Sequence, residues 1–381
     1  MARFEPPPYP YDRLVPLRAA ADRVEGGLVD LSIGTPADPP PAFLAEALGD
    51  RAAAQTYPPS VGTPAYREAA AGWLARRFGV AVDAGAVAAC MGTKELVAGL
   101  PHWLRLRDPE RDTVLYPAIS YPTYAMGATL AGCRAVPVPV DDDWRIRLDA
   151  IDPADAARAV CLWVNAPGNP AGGLDDLDAA AAWGRAHDVI VCSDECYAEF
   201  TWDGPPRTIL ASGSDGVLAV HSLSKRSNLA GARVGFYAGD ADLVRYLSEV
   251  RKHAGFMVPG PVQAAGALAW ADDAHVAEQR DRYLQRLRLL VDGFVAMGLA
   301  AHLPAGAFYL WVPAPGGDAW ALATHLAEAA GVLVSPGEFY GDAGAGHVRV
   351  AAVAPIDRIE VAARRLAAAP MPSRPGAGGG D

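Results

Sequence analysis

Between residues 87 and 240 short, nearly continuous apolar runs alternate with longer amphipathic stretches. The runs read VAACM, TVLYP, RAVPV, AVCLWVN, VIVCSD, VLAVHS and RVGFYAG. Helical stretches are expected between them, over about 93–106, 121–131 and 175–186. A strand without polar alternation is buried on both faces. Its alternation with helices predicts an α/β fold: a large domain whose mostly parallel sheet is covered by helices on both sides.

The flanks read differently. LVDLSIGTPADPPP is a short strand followed by a Gly-Pro turn, and residues 42–48 make one or two helical turns. Residues 56–79 read as a loop, then an amphipathic helix capped at Thr63 with Pro64 in its first turn. Residues 240–298 read as successive helices, broken near Asp272 and Asp273. AFYLWVP, a helix near 319–330, VLVSP, HVRVAAV and a last helix predict a smaller α+β unit. Residues 1–27 read as an arm rather than a core element, and 371–381 as a disordered tail. The expected division is 1–45 (arm and part of the small domain), 46–275 (large domain), 276–370 (small domain) and 371–381 (tail). No internal repeat is visible.

Composition narrows the partners. The 381 residues carry a net charge of −11, which argues against nucleic acid or an anionic membrane. Arg, Asp, Gly or Pro interrupts each apolar run before spanning length, and MARFEPPPYPYDRL lacks the apolar core of a signal peptide. A cytoplasmic protein is expected. The five cysteines (Cys90, Cys133, Cys161, Cys192 and Cys196) contain no C-x-x-C, so buried thiols are expected and no metal site.

The chain holds only three lysines, Lys94, Lys225 and Lys252. Lys225 stands in SLSKRSN, just past the apolar run VLAVHS. An amine there can form a Schiff base with an aldehyde cofactor; a guanidinium, always charged, cannot. Ser222 and Arg233 flank it with a hydroxyl and a fixed cation suited to phosphate. Ser222-Leu-Ser-Lys225 also matches the acyl-enzyme signature of penicillin-binding proteins, but no S-D-N or K-T-G follows.

Further candidates sit near strand ends, where ligands bind in open α/β sheets. Gly92-Thr93-Lys94 opens a helix after VAACM, a place for a phosphate or for a plain helix cap. Asn169 lies in the Pro/Gly-rich loop NAPGNPAGG, where an ordinary turn is the plainer explanation. Asp194 ends the apolar strand VIVCSD, and a buried carboxylate needs a partner, such as a protonated pyridine nitrogen. Tyr197 follows three residues later. Arg349, in HVRVAAV, has the chemistry to grip a carboxylate in two places or to form a surface ion pair.

Taken together, S-x-S-K-x(7)-R, D-x-x-Y and their order resemble the class I/II aminotransferases of the fold type I pyridoxal phosphate enzymes, from about Leu28 to Leu366. The resemblance implies a homodimer that binds pyridoxal 5′-phosphate in the large domain. It implies Lys225 as the cofactor-bearing lysine and proton shuttle, Asp194 on the pyridine nitrogen, and Tyr197 and Asn169 on the ring oxygen. Thr93, Lys94 (through its backbone), Ser222 and Arg233 would hold the phosphate, with Tyr121 stacking on the ring. Tyr57 would reach the neighbouring subunit's phosphate. Gly34, Asn169 and Arg349 would meet the substrate, Arg349 at its carboxylate. The family's N-P-x-N-P-T-G stands here as NAPGNPAGG, which keeps Asn169.

The implied reaction moves an amino group between glutamate and a 2-oxo acid. The segments IGTPADPPP, YPAISYPTYA and SLSKRSNLAGARVGF are most similar to N-succinyldiaminopimelate aminotransferases. The acceptor expected from that similarity is N-succinyl-2-amino-6-oxopimelate, in lysine biosynthesis. An aspartate or broad-specificity aminotransferase and a cysteine-conjugate β-lyase would share every cofactor contact. A non-catalytic ligand-binding domain would not need the full Lys225, Asp194 and Arg349 set. Arg251, Lys252 and His253, at a helix end, are candidates for reading a distal carboxylate or for plain helix-end charges.

Overall fold

A computed structural model describes residues 4–371. In chain order its elements begin with α1 (Val15–Asp22), β1 (Val29–Asp30), α2 (Ala42–Ala47) and α3 (Pro64–Phe78). Next come β2 (Val87–Cys90), α4 (Thr93–Arg107), β3 (Thr113–Pro117), α5 (Thr123–Leu130), β4 (Arg134–Val138) and α6 (Pro153–Ala157). They are followed by β5 (Ala159–Asn165), α7 (Leu177–His187), β6 (Ile190–Asp194), β7 (Val217–Ser222), α8 (Leu223–Arg226) and β8 (Gly235–Gly239). Then come α9 (Ala241–His253), α10 (Gly260–Ala271), α11 (Ala274–Ala296), β9 (Tyr309–Pro313), α12 (Ala319–Ala330), β10 (Val332–Leu333), β11 (Ser335–Pro336), β12 (His347–Ala351) and α13 (Ile356–Ala368). The predicted tail falls almost wholly outside the described residues. These separate into two compact units, one of 35–282 with 304–308, the other of 4–34, 283–303 and 309–371.

In the larger unit seven strands form a sheet in the order β2-β8-β7-β6-β5-β3-β4 among the described residues. The α/β reading holds, with one refinement: β8 runs antiparallel between β2 and β7, and the other pairs are parallel. From β3 the chain winds one way to β4, then returns through β5, β6 and β7 the other way. The unbroken apolar runs are explained by their two faces. In β5, Leu162 and Val164 pack with Trp73, Phe236 and Trp270 on one side. Cys161 and Trp163 pack with Leu96, Val97 and Leu100 of α4 on the other. Each such side chain, fully buried, is worth about 1.5–3 kcal/mol. Helix α3 starts as expected: the Thr63 hydroxyl accepts from the Tyr66 N–H, and Pro64 follows.

The smaller unit holds a three-stranded antiparallel sheet, β11-β12-β9, and the parallel pair β1-β10. The N-terminal segment corrects the arm expectation. Leu14, Leu17, Ala20 and Ala21 are buried, and α1 packs against α12. The spacing of these apolar residues gives α1 a face that would be costly to leave in water. All five cysteines are free thiols: Cys90, Cys161 and Cys192 buried, Cys133 and Cys196 partly so. Among the described residues no helix is long and apolar enough to cross a membrane.

Candidate active site

The carboxyl ends of β5 and β6 lie side by side, with Asn165 opposite Asp194. Asp194 is buried. Its Oδ2 accepts from the Tyr124 hydroxyl at 2.9 Å and its Oδ1 from the Cys196 N–H at 3.2 Å. Burial pushes the Asp194 carboxyl above the ordinary carboxylate range, while the bonds from Cys196 and Tyr124 pull the other way. The Tyr124 ring stacks on Trp163, centroids 5.1 Å apart and 17° from parallel. Burial, and then the neighbouring Asp194, drive the Tyr124 hydroxyl far up, so it stays protonated and donates.

Asn165 joins this strand end to the loop that carries Asn169. Its amide donates to the Asp194 carbonyl at 2.7 Å and its Oδ1 accepts from the Asn169 N–H at 2.8 Å. Farther along the loop, the half-buried Asp175 carboxylate accepts from the N–H groups of Ile146 (2.8 Å) and Asn165 (3.0 Å). Burial raises it to about 6 against those two bonds. The Ala166–Pro167 and Asn169–Pro170 bonds are cis.

Next to β6, β7 ends at Ser222, whose Oγ accepts from the Ser224 N–H at 3.1 Å and starts the single helical turn α8. Lys225 lies in that turn. Its ammonium is 5.8 Å from the centroid of Phe308, and Tyr197 meets the same ring edge-on at 5.3 Å. Asp194, Tyr197, Ser222 and Lys225 thus gather at one end of the sheet.

A third corner is built from Gly92, Thr93 and Arg233. Gly92 has φ +75°, and a Cβ there would sit 2.3 Å from the Arg233 guanidinium. The positive φ favours glycine there, and a side chain would also push the Arg233 guanidinium from its place. Helix α4 begins with no side-chain cap at Gly92, leaving its first N–H groups facing this corner. Arg233 itself adopts a left-handed conformation, φ +56°. The Cys196 thiol donates to Thr93 Oγ1 at 3.3 Å and links this corner to Asp194. A helix N-terminus, a guanidinium and the Thr93 hydroxyl form a donor set that suits a phosphate dianion, and Ser222 lies two strands along, opposite Gly235.

In the smaller unit Arg349 is buried on β12, opposite Ser335 and Trp311. Its Nη2 donates to the Ser32 carbonyl (2.7 Å) and the Tyr11 hydroxyl (3.2 Å). Its guanidinium lies 4.3 Å from the Tyr309 ring centroid and 4.6 Å from that of Tyr340. A Cβ at Gly34 would meet the Tyr309 hydroxyl at 2.0 Å, so the backbone at Gly34 presses against that tyrosine. Arg349 is therefore not the exposed ion pair that its isolated sequence context allowed.

Other expectations fall out unevenly. Tyr121 is half-buried just before α5 and meets Tyr124 edge-on at 5.9 Å. Lys94 is exposed in the first turn of α4. Tyr57 stands 93% exposed in the loop before α3. Arg251 is a correction. It is 1% exposed, bound to both Glu95 oxygens at 2.6 and 2.9 Å, and packed on Trp103 and Phe256. With its donors so engaged it is neither a solvated helix-end charge nor a ready reader of substrate. Lys252 remains exposed beside Glu249.

Sequence reasoning missed Tyr124, Asn165 and Phe308. Tyr124 was visible only as the second aromatic of SYPTY, and Phe308 only as part of an apolar strand. It also missed the buried Glu195 and His221, side by side at 3.2 Å on neighbouring strand ends. An open cleft of about 560 Å³ lies at the opposite, amino ends of the strands. Its Arg111 and Arg185 are engaged by Asp188 and by backbone carbonyls, and none of the expected site residues line it.

The model of the family "Aminotransferase class I and II" matches residues 27–366, and the chain belongs to that family. It is a pyridoxal phosphate-dependent aminotransferase. It is 45% identical to the 4-dedimethylamino-4-oxo-anhydrotetracycline transaminase of Streptomyces rimosus, over 95% of this chain and 99% of that one. It is 36% identical to the LL-diaminopimelate aminotransferase of Desulforudis audaxviator, over 94% and 95%. Among solved structures, a probable N-succinyldiaminopimelate aminotransferase of Thermus thermophilus superposes with a TM-score of 0.85 at 30% identity, over 94% and 99%.

Proposed function

We propose that the cluster at the carboxyl ends of β5, β6 and β7 is the catalytic centre, with Lys225 as the cofactor-bearing lysine and proton carrier. The carrying observation is the buried Asp194, held by Tyr124 and Cys196 in a setting that opposes its ionisation. A cation placed against it, such as a protonated pyridine nitrogen, would relieve that cost. When bound, pyridoxal phosphate supplies an aldehyde that captures amino groups and a ring that accepts electrons.

The chain's residues then divide the work. Asp194 keeps the ring nitrogen protonated. Tyr197 and Asn169 donate to the ring oxygen, and Tyr121 covers one face of the ring. The backbone of Thr93 and Lys94 holds the phosphate, with the hydroxyls of Thr93 and Ser222 and the Arg233 guanidinium. With its amine free, Lys225 would carry the proton between the substrate's α-carbon and the cofactor's aldehyde carbon. Arg349 grips the α-carboxylate with the backbone at Gly34 beside it. The exposed Tyr57 completes the phosphate site of a second copy, in a homodimer.

For the substrates we infer glutamate as donor and N-succinyl-2-amino-6-oxopimelate as acceptor, a step of lysine biosynthesis. Support comes from relatives named for diaminopimelate compounds, which carry a second amino-acid centre beyond the reacting one. The 45% identity to a transaminase named for an anhydrotetracycline favours a second reading, a bulky cyclic ketone as acceptor. A half-reaction screen separates them. Glutamate and N-succinyl-LL-diaminopimelate should each convert the cofactor's visible band, and 4-dedimethylamino-4-oxo-anhydrotetracycline should not regenerate it. Turnover of the tetracycline ketone with no response to N-succinyl-LL-diaminopimelate would reverse the assignment. Release of ammonia and pyruvate from a cysteine conjugate, without amino transfer, would mark a lyase.

A further inference from the structure

The residue after Lys225 is the most heavily bonded arginine in this part of the molecule. Arg226 is 2% exposed. Its Nε donates to Glu199 Oε1 at 3.1 Å. Its Nη1 donates to the Ala269 carbonyl (2.5 Å) and to Ser227 Oγ (3.5 Å). Its Nη2 donates to the Asp272 carbonyl (2.9 Å) and to Asp273 Oδ1 (2.8 Å). These five bonds match the five donors of a guanidinium. The guanidinium also lies beside a pair of touching indoles, 5.5 Å from the ring centroid of Trp73 and 5.2 Å from that of Trp270, whose own centroids are 4.7 Å apart.

The acceptors are themselves held. Glu199 is buried, and its Oε1 also accepts from the Trp73 indole at 2.8 Å. Its Oε2 binds Arg77 of α3 at 2.8 Å. Ala269 lies in α10, and Asp272 and Asp273 follow it directly. Arg226 therefore ties α8 to α3 and to the end of α10, two helices packed on each other. Burial lowers the affinity of Arg226 for its proton, and Glu199 and Asp273 offset this.

Helix α8 needs such an anchor. It is four residues long, too short to hold its place by its own hydrogen bonds. Leu223 sits in the core at one end of the turn, and Arg226 is clamped at the other. The Cα of Lys225 lies between these two fixed points. Beyond the turn Asn228 and Arg233 both take left-handed backbone conformations, so the chain there gives Lys225 no regular support.

We propose that Arg226 is a positioning residue for Lys225: its clamp onto Glu199, Asp273 and the end of α10 sets where the lysine amine is delivered. The proposal rests on the assignment of Lys225 as the cofactor-bearing lysine. A displacement of an ångström at a reacting group is enough to lower a rate by about 100-fold, so a loosened turn should act on kcat rather than on substrate affinity.

The test uses Arg226→Met, which keeps length and apolar contact, Arg226→Lys, which keeps a charge, and Asp273→Asn at the half-exposed end of the clamp. Lys225→Ala is the control. In full-length holoenzyme, Arg226→Met should lower kcat about 10- to 100-fold with KM for glutamate within about threefold. The pH titration of the lysine-linked cofactor band should shift, and amide exchange at 223–227 should quicken in the cofactor-free protein. Arg226→Lys should recover part of each effect. Asp273→Asn, which keeps the buried part of the clamp, should show the same changes in smaller degree. Unchanged kcat, titration and exchange in Asp273→Asn and in a folded Arg226→Met would overturn the proposal. So would a fall in melting temperature alone. A lysine-linked band that survives in Lys225→Ala would overturn the Lys225 assignment instead, and is read separately.

Discussion

The Tyr124 hydroxyl donates to Asp194 Oδ2 at 2.9 Å inside the core, with its ring stacked on Trp163. This bond favours the ionised carboxylate in a place where burial disfavours it. A hydrogen bond to a charged group is worth about 1.5–3 kcal/mol. Tyr124→Phe should therefore weaken cofactor binding and lower kcat by about 10-fold or more. Asp194→Ala should cost orders of magnitude in turnover, and Asp194→Glu less. Titration of the apoprotein with cofactor, followed by steady-state kinetics, checks each. Wild-type affinity and turnover in Tyr124→Phe would remove Tyr124 from the site.

Asp175 predicts a pH dependence of stability. Its carboxyl is raised to about 6 in the folded protein, above the ordinary value near 4. The folded state then holds this proton more tightly than the unfolded state. Stability from this group is complete below about pH 4 and lost as pH rises through about 6. The full difference is on the order of 3 kcal/mol. Asp175→Asn should flatten this part of the profile, whatever its absolute stability. Denaturant melts at several values between pH 4 and 7 measure it, and an unchanged slope would refute the assignment.

The Glu95–Arg251 pair is expected to serve the fold. Arg251 is buried and Glu95 only partly so; breaking a fully buried pair costs about 3–5 kcal/mol, and water at Glu95 lowers that here. Arg251→Ala should lower the melting temperature markedly and reduce kcat/KM for glutamate and for alanine by the same factor. A loss confined to glutamate would return Arg251 to substrate recognition.

Tyr57 bears on assembly. Its near-complete exposure in one chain is expected if its partner belongs to a second copy. Tyr57→Phe should weaken cofactor affinity severalfold. A heterodimer of Lys225→Ala with Tyr57→Phe should recover wild-type cofactor affinity and turnover at one of its two sites, because both lesions then fall in the other. Verified heterodimers with no recovery would place each site within a single chain.

Much of this molecule was legible in its residue order. Apolar runs of strand length, alternating with amphipathic segments of helix length, point to a sheet buried on both faces, because covering helices hide every side chain of such a run. Lys225, one of three lysines, and Asp194, a carboxylate closing an apolar run, stand out by type and place, whereas Asn169 alone reads as an ordinary turn and takes its role from the family resemblance. Tertiary structure alone decided the rest, since it depends on contacts between residues far apart in sequence. Tyr124 meets Asp194 across 70 positions, and Arg251 meets Glu95 across 156. No local pattern marks an arginine as already paired, so Arg251 looked like a surface charge until its partner was in view. The antiparallel placing of β8 and the packing of α1 on α12 are likewise choices among surfaces of similar apolarity. Hydrophobic pattern says which face of an element is buried; only the assembled fold says against what.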